Sequence, residues 1–158
     1  MIYQDLYQFP EGHPPSPYDL PVRIFNVGDV FLPAGLGLFA VGWIEEPGFT
    51  TGPVPEECIE ALFAAYPDKI IPDGTRGWHT CTFCEEDMPE VEWNGKTIDL
   101  MGNGHYLVRY VNSVYMAPAL LLHYILDHHY RPPQVFIDAV INGTFLTKDD
   151  LEVKQSDK

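Results

Sequence analysis

An α+β fold is expected of this chain: a small antiparallel sheet or hairpins packed with two or three α-helices. Three observations predict it. Segments 91–100 and 104–117 each hold two short β-prone runs around a polar turn, Asn94-Gly95 in one and Asn112-Ser113 in the other. Apolar residues recur at helical spacing after Pro55, Pro118 and Pro133, and proline suits the first helical turn. The 158 residues are 46% hydrophobic and include 9 Tyr, 9 Phe and 3 Trp, enough to bury one core in one domain, 1–158.

The elements follow in order. Residues 1–21 contain five of the fifteen prolines (Pro10, Pro14, Pro15, Pro17 and Pro21) and read as an irregular N-terminal arm. "VRIFNV" (22–27) suits a short strand. "LGLFAVGWI" (36–44) is a near-continuous apolar run of strand length, with Gly42 allowing another element to approach closely. A helix begins at Pro55, with Glu56 and Glu57 at the positive end of its dipole. Ile59, Leu62, Phe63 and Tyr66 form its apolar stripe, Cys58 is a small core residue within it, and Pro67 ends it.

"APALLLHYILDHHY" (117–130) is the clearest helix, with Pro118 in its first turn. Leu121, Ile125 and His128 share one face, and Leu120, His123 and Asp127 another. Pro132-Pro133 ends it. A last helix starts at Pro133, with Val135, Phe136, Ala139 and Val140 as its stripe and Asn142-Gly143 as its C-cap. Residues 148–158 read as a polar tail with one terminal helical turn.

The formal charge is −14, and nine Lys and Arg are scattered singly. Nucleic-acid binding needs a basic patch to neutralise phosphates, so a nucleic-acid reader is disfavoured, and an anionic membrane surface would be repelled. No apolar run is long enough to span a bilayer. The first residues lack a basic n-region and an apolar h-region. With an odd cysteine count, this leads to an expected place in a reducing cytoplasm.

Three cysteines are present, and two of them stand in "GWHTCTFCEEDMP" (77–89) as Cys81-x2-Cys84. Such spacing is half of a zinc site if two further ligands exist. The helix at 117–130 offers His123-x4-His128, within the range of a Cys2His2 second half. Zinc favours thiolate and imidazole in a tetrahedron, so one structural Zn2+ held by Cys81, Cys84, His123 and His128 is expected. The 38 residues between the halves would hold the two hairpins. Residues five apart on an ideal helix diverge by about 140°, so the last turn must tighten or unwind for both histidines to ligate. His129 and His79 are substitutes. A thioredoxin-like redox pair would want its cysteines at a helix start in a βαβ context. Here a Gly-rich turn precedes them and acids follow.

"RGWHTCTFC" and "VYMAPALLLHYILDHHYRPPQVFIDAV" resemble a group of uncharacterised bacterial cytosolic proteins. Their pattern is an RG-aromatic lead, a CxxC, a hairpin whose second strand runs into "(W/A)P-x-x-L-x-HY-(I/V)-x-x-H", and then "PP-x-x-F". "AVGWIEEPGFTTGPVP" is similar to the same group's "VGWL" strand and loop. The resemblance covers residues 38–141. It places the metal ligands on Cys81, Cys84, His123 and His128. The group commonly has glycine after the second histidine, where this chain has His129. It implies a small accessory or immunity-type protein, from a group with no established enzymatic activity.

The residues themselves favour a non-enzymatic, zinc-stabilised protein-binding module, with a basic toxin as the partner its acids would suit. Glu45-Glu46, Glu56-Glu57 and Glu85-Glu86-Asp87 could face a cationic rim. The alternative is a zinc-dependent hydrolase or deaminase with a catalytic metal. A catalytic zinc keeps an open position with three protein ligands, whereas four are available here. "HTCTFC" lacks the proline of the deaminase motif, and His105-Tyr106-Leu107 is not H-x-E.

Overall fold

Four strands make the main sheet. They are β2 (Gly37–Ala40), β5 (His105–Tyr110), β6 (Ser113–Pro118) and β7 (Thr144–Phe145), in the order β2-β6-β5-β7. The computed structural model describes residues 5–6, 30–31, 37–44, 48–69, 81–85, 89–100, 104–147 and 152–153, with backbone alone at 30–31, 38, 67–69 and 152–153. The expected strand 22–27 and nearly all of the 1–21 arm lie outside them. The predicted α+β class holds, with three helices among the described residues: α1 (Glu56–Lys69), α2 (Leu121–His128) and α3 (Gln134–Asn142).

The sheet is mixed where an antiparallel one was expected. β5 and β6 form the predicted hairpin and β7 adds antiparallel to β5, but β2 lies parallel to β6, with Gly37 opposite Ser113 and Ala40 opposite Met116. Parallel neighbours need a long crossover; here α1 and both hairpin turns lie between them. Both faces of the hairpin are buried. Tyr106 and Val108 face the helices with Tyr115 and Ala117, while the alternate residues Leu107, Val114 and Met116 are also covered. This explains why "HYLVRY" and "SVYMAP" do not alternate apolar and polar residues.

The second predicted hairpin is β3 (Glu90–Trp93) with β4 (Lys96–Asp99). Asn94 and Gly95 both have positive φ, 52° and 79°, as a two-residue type I′ turn requires. In the β5–β6 hairpin the turn falls one residue earlier than predicted, at Val111-Asn112. Val111 takes φ 58°, unusual for a β-branched residue, and is 70% exposed.

α1 buries Cys58, Ile59, Leu62 and Phe63, as its spacing predicts, but it runs on to Lys69 past Pro67. Proline removes one donor and its φ remains helical, so a final turn can continue beyond it. α2 begins at Leu121 and not near Pro118, which is the last residue of β6 and pairs with His105. α3 starts after Pro133 as expected. Its buried arc is Phe136, Ile137, Ala139 and Val140, because it packs on both α1 and β5; Val135 falls outside that arc and is 45% exposed. Gly143 caps α3 with extended φ. A Cβ there would collide with the backbone carbonyl oxygen of Arg109, so close approach to β5 requires the glycine. In the tail, β8 (Glu152–Val153) pairs with β1 (Val30–Phe31), a strand where a helical turn was expected.

One piece of the N-terminal arm is fixed to the end of β2. Leu6 N–H donates to Ala40 O at 2.6 Å. Asp5 accepts from Gly42 N–H at 2.8 Å and from Tyr130 O–H at 2.7 Å. Gly42 allows the close approach predicted for it: a Cβ there would lie 2.8 Å from Leu121 Cδ1. No helix among the described residues is long and apolar enough to cross a membrane.

Candidate metal centre

Two elements carry the site, a turn at Cys81–Glu85 and the helix α2. Glu85 N–H donates to Cys81 O at 2.7 Å and closes the turn, with Glu85 itself in the left-handed region at φ 60°. Phe83, at the turn's tip, packs against Phe49, Tyr124 and His128, with ring centroids 5.3, 6.3 and 5.2 Å away. Apolar packing thus docks the turn on α2. It leaves Cys81 fully buried and Cys84 exposed.

α2 sinks Leu121, Leu122, Tyr124 and Ile125 into the core, and these fix its rotation. That rotation buries His123, at 2% exposure, and leaves His128 half-buried at the last helical position. The two histidines, five residues apart, still meet at the end of α2, their Nε2 atoms 3.2 Å apart, where the helix closes on a cap. His129 N–H and Tyr130 N–H both donate to Tyr124 O, bridging five and six residues where an α-turn bridges four. His129 then leaves the helix in the left-handed region at φ 63°, exposed to solvent.

The four predicted ligands come together. One ligand atom from each of Cys81, Cys84, His123 and His128 lies within 4.8 Å of all the others, close enough to bind a metal ion. Cys81 Sγ is 3.4 Å from His128 Nε2, Cys84 Sγ is 3.3 Å from His123 Nε2, and the two Nε2 atoms are 3.2 Å apart. A tetrahedron with metal–sulfur bonds of about 2.3 Å and metal–nitrogen bonds of about 2.0 Å has edges of roughly 3.3–3.8 Å. The sulfur–nitrogen and nitrogen–nitrogen edges are therefore near their liganded lengths. Neither cysteine is in a disulfide, so both sulfurs can serve as ligands. Of the substitutes, His129 caps the helix outside the cluster, and His79 lies outside the described residues.

Two residues of the site were not anticipated. Asp127 accepts a hydrogen bond from His123 Nδ1–H at 2.7 Å. A carboxylate only accepts, so the proton sits on Nδ1 and Nε2 keeps its lone pair for a metal. The i, i+4 spacing of His123 and Asp127 on one predicted helix face was the available signal. Phe83, inside the CxxC, had no such signal, because its role depends on which helix the turn meets. The third cysteine, Cys58, is buried in α1, and burial pushes its thiol from 9.0 up to about 12, so it remains a neutral core group.

The chain belongs to the family described as a domain of unknown function, DUF7919, whose model matches residues 1–141 and so spans the turn, α2 and most of α3. No curated protein and no solved structure shows a significant match to it.

Proposed function

We propose that this member of the DUF7919 family is a zinc-stabilised module that acts by binding another protein in the cytoplasm. The closed ligand set carries the reading: two thiolates and two neutral imidazoles fill a tetrahedron and balance the charge of Zn2+. Zinc is the divalent ion that such an S2N2 set suits. With all four positions held by the protein, the ion has no site for a substrate or a water to activate. It ties the 81–85 turn to α2, and through α2 to the sheet.

A binding role is supported by charge. At −14, the surplus carboxylates must lie mostly in solvent, since an unpaired buried carboxylate is too costly. Glu56, Glu57 and Glu85 are exposed, while Glu45, Glu46, Glu86 and Asp87 lie outside the described residues. Such a surface speeds encounter with a basic partner and weakens with salt. A cationic toxin neutralised by an immunity-type contact fits these properties. The test is affinity capture from the source cell at low and high salt, with a toxicity-rescue assay of any neighbouring gene. Recovery of a basic protein, released by salt, supports the proposal. Zinc-dependent turnover of a small substrate with no captured protein would replace it with an enzyme.

A further inference from the structure

The centre is unequally shielded. Cys81 is buried, but Cys84 stands exposed on the same turn. A structural zinc site shields its thiolates best when all are enclosed. An exposed metal-bound thiolate is the one a small oxidant can reach, since attack depends on thiolate character and access. Cys81 and Cys84 are also placed to pair. They lie three apart in one turn, which keeps their Cα atoms within about 7 Å, and a disulfide spans Cα separations of about 4.4–6.8 Å. Their Sγ atoms already lie within 4.8 Å. Cys58 is enclosed in α1 and does not compete.

From this we infer that the centre is an oxidation-gated clasp, in which a hydroperoxide joins Cys81 to Cys84 and expels the metal. The inference rests on the zinc reading above. The Cys84 thiolate attacks the terminal oxygen of the peroxide and breaks the O–O bond, giving a sulfenic acid and an alkoxide, or hydroxide when the oxidant is hydrogen peroxide. The Cys81 thiolate then attacks Sγ of Cys84, forming the S–S bond and releasing hydroxide. Two sulfurs lose two electrons and the peroxide gains them. Zinc loses both sulfur ligands, and His123 and His128 alone cannot hold it. The packing of Phe83 against α2 and Phe49 then remains to hold the turn.

The experiment uses the full-length protein as purified, with zinc measured first by elemental analysis. Hydrogen peroxide is added in steps with a chromogenic zinc chelator present, while free thiols are counted and disulfides mapped by mass spectrometry. The expected result is release of one zinc per chain as the thiol count falls from three to one. The mapped bond joins Cys81 to Cys84, Cys58 stays reduced, and a dithiol reductant with added zinc reverses the change. Zinc retained through excess peroxide, or released only with sulfinic or sulfonic acid at Cys84, overturns the clasp and leaves the structural zinc standing. A protein that neither contains nor takes up zinc overturns both. In a Cys58→Ala variant the release must be unchanged; if it is lost, Cys58 is the oxidised thiol and the assignment is wrong.

Discussion

The His123 ring bridges Asp127 and Cys84: its Nδ1–H donates to Asp127 Oδ2 at 2.7 Å, and its Nε2 lies 3.3 Å from Cys84 Sγ. The carboxylate therefore selects the tautomer that can ligate. Asp127→Asn keeps the shape but weakens this hold, and zinc affinity should fall about 10–100-fold. Competition against a chelator of known affinity measures it. An unchanged affinity would leave Asp127 as a solubilising surface residue.

Metal removal should loosen the whole fold. An ion present at a thousand times its Kd stabilises by about 4 kcal/mol, roughly 8–16 °C in Tm for a chain of this size. Scanning the protein with and without a strong chelator at neutral pH checks this. Acid should act in the same direction, because both thiolates and both imidazoles must lose their zinc when protonated. Cys81→Ser should mimic the chelator, and chelator should then shift its Tm no further.

His129→Gly should stabilise the protein and leave zinc in place. His129 sits at φ 63°, where a side chain costs roughly 1 kcal/mol and glycine does not. Tm should rise by about 2–4 °C. His128→Ala should release the metal. Together the two variants test by titration which of the neighbouring histidines is the ligand.

Alkaline pH should expose the buried thiol. In the folded protein Cys58 titrates at about 12, against 9.0 for the free group. Between those values the unfolded chain gives up this proton and the folded chain keeps it, so stability falls as pH rises. Between pH 9 and 10 the loss is about 1 kcal/mol. The tyrosines held up by burial, Tyr106 and Tyr130, start from 10.0 and act mainly above that window. Urea midpoints for wild type and Cys58→Ala at pH 8, 9 and 10 separate the cases: the variant should lose its share of the slope.

The Cys/His cluster was legible because its chemistry is written in spacing: a CxxC and an HxxxxH need only be brought together. Asn94-Gly95 was equally legible, since two residues of positive φ in a row have few solutions. Val111 was not. Nothing local favours a β-branched residue at φ 58°; the register of β5 against β6, fixed by burial of both faces, places it there. The parallel seat of β2 was hidden for a related reason. A buried apolar run carries no mark of direction, and its partner lies beyond a helix and a hairpin. Pro118 misled because the same proline that opens helices also ends strands, and the choice was made by its pairing with His105.

That parallel seat orders assembly in time. The β5–β6 hairpin closes a turn of two residues and can form on a microsecond scale, as can β3–β4. β2 must await the first of these, because its partner β6 does not exist as a template until the hairpin has closed, and Gly37 reaches Ser113 only across the whole intervening chain. Loop-closure entropy is then met before the contact repays it. A ribosome releasing this chain would have β2 waiting, unpaired and apolar, until α2 had nearly emerged.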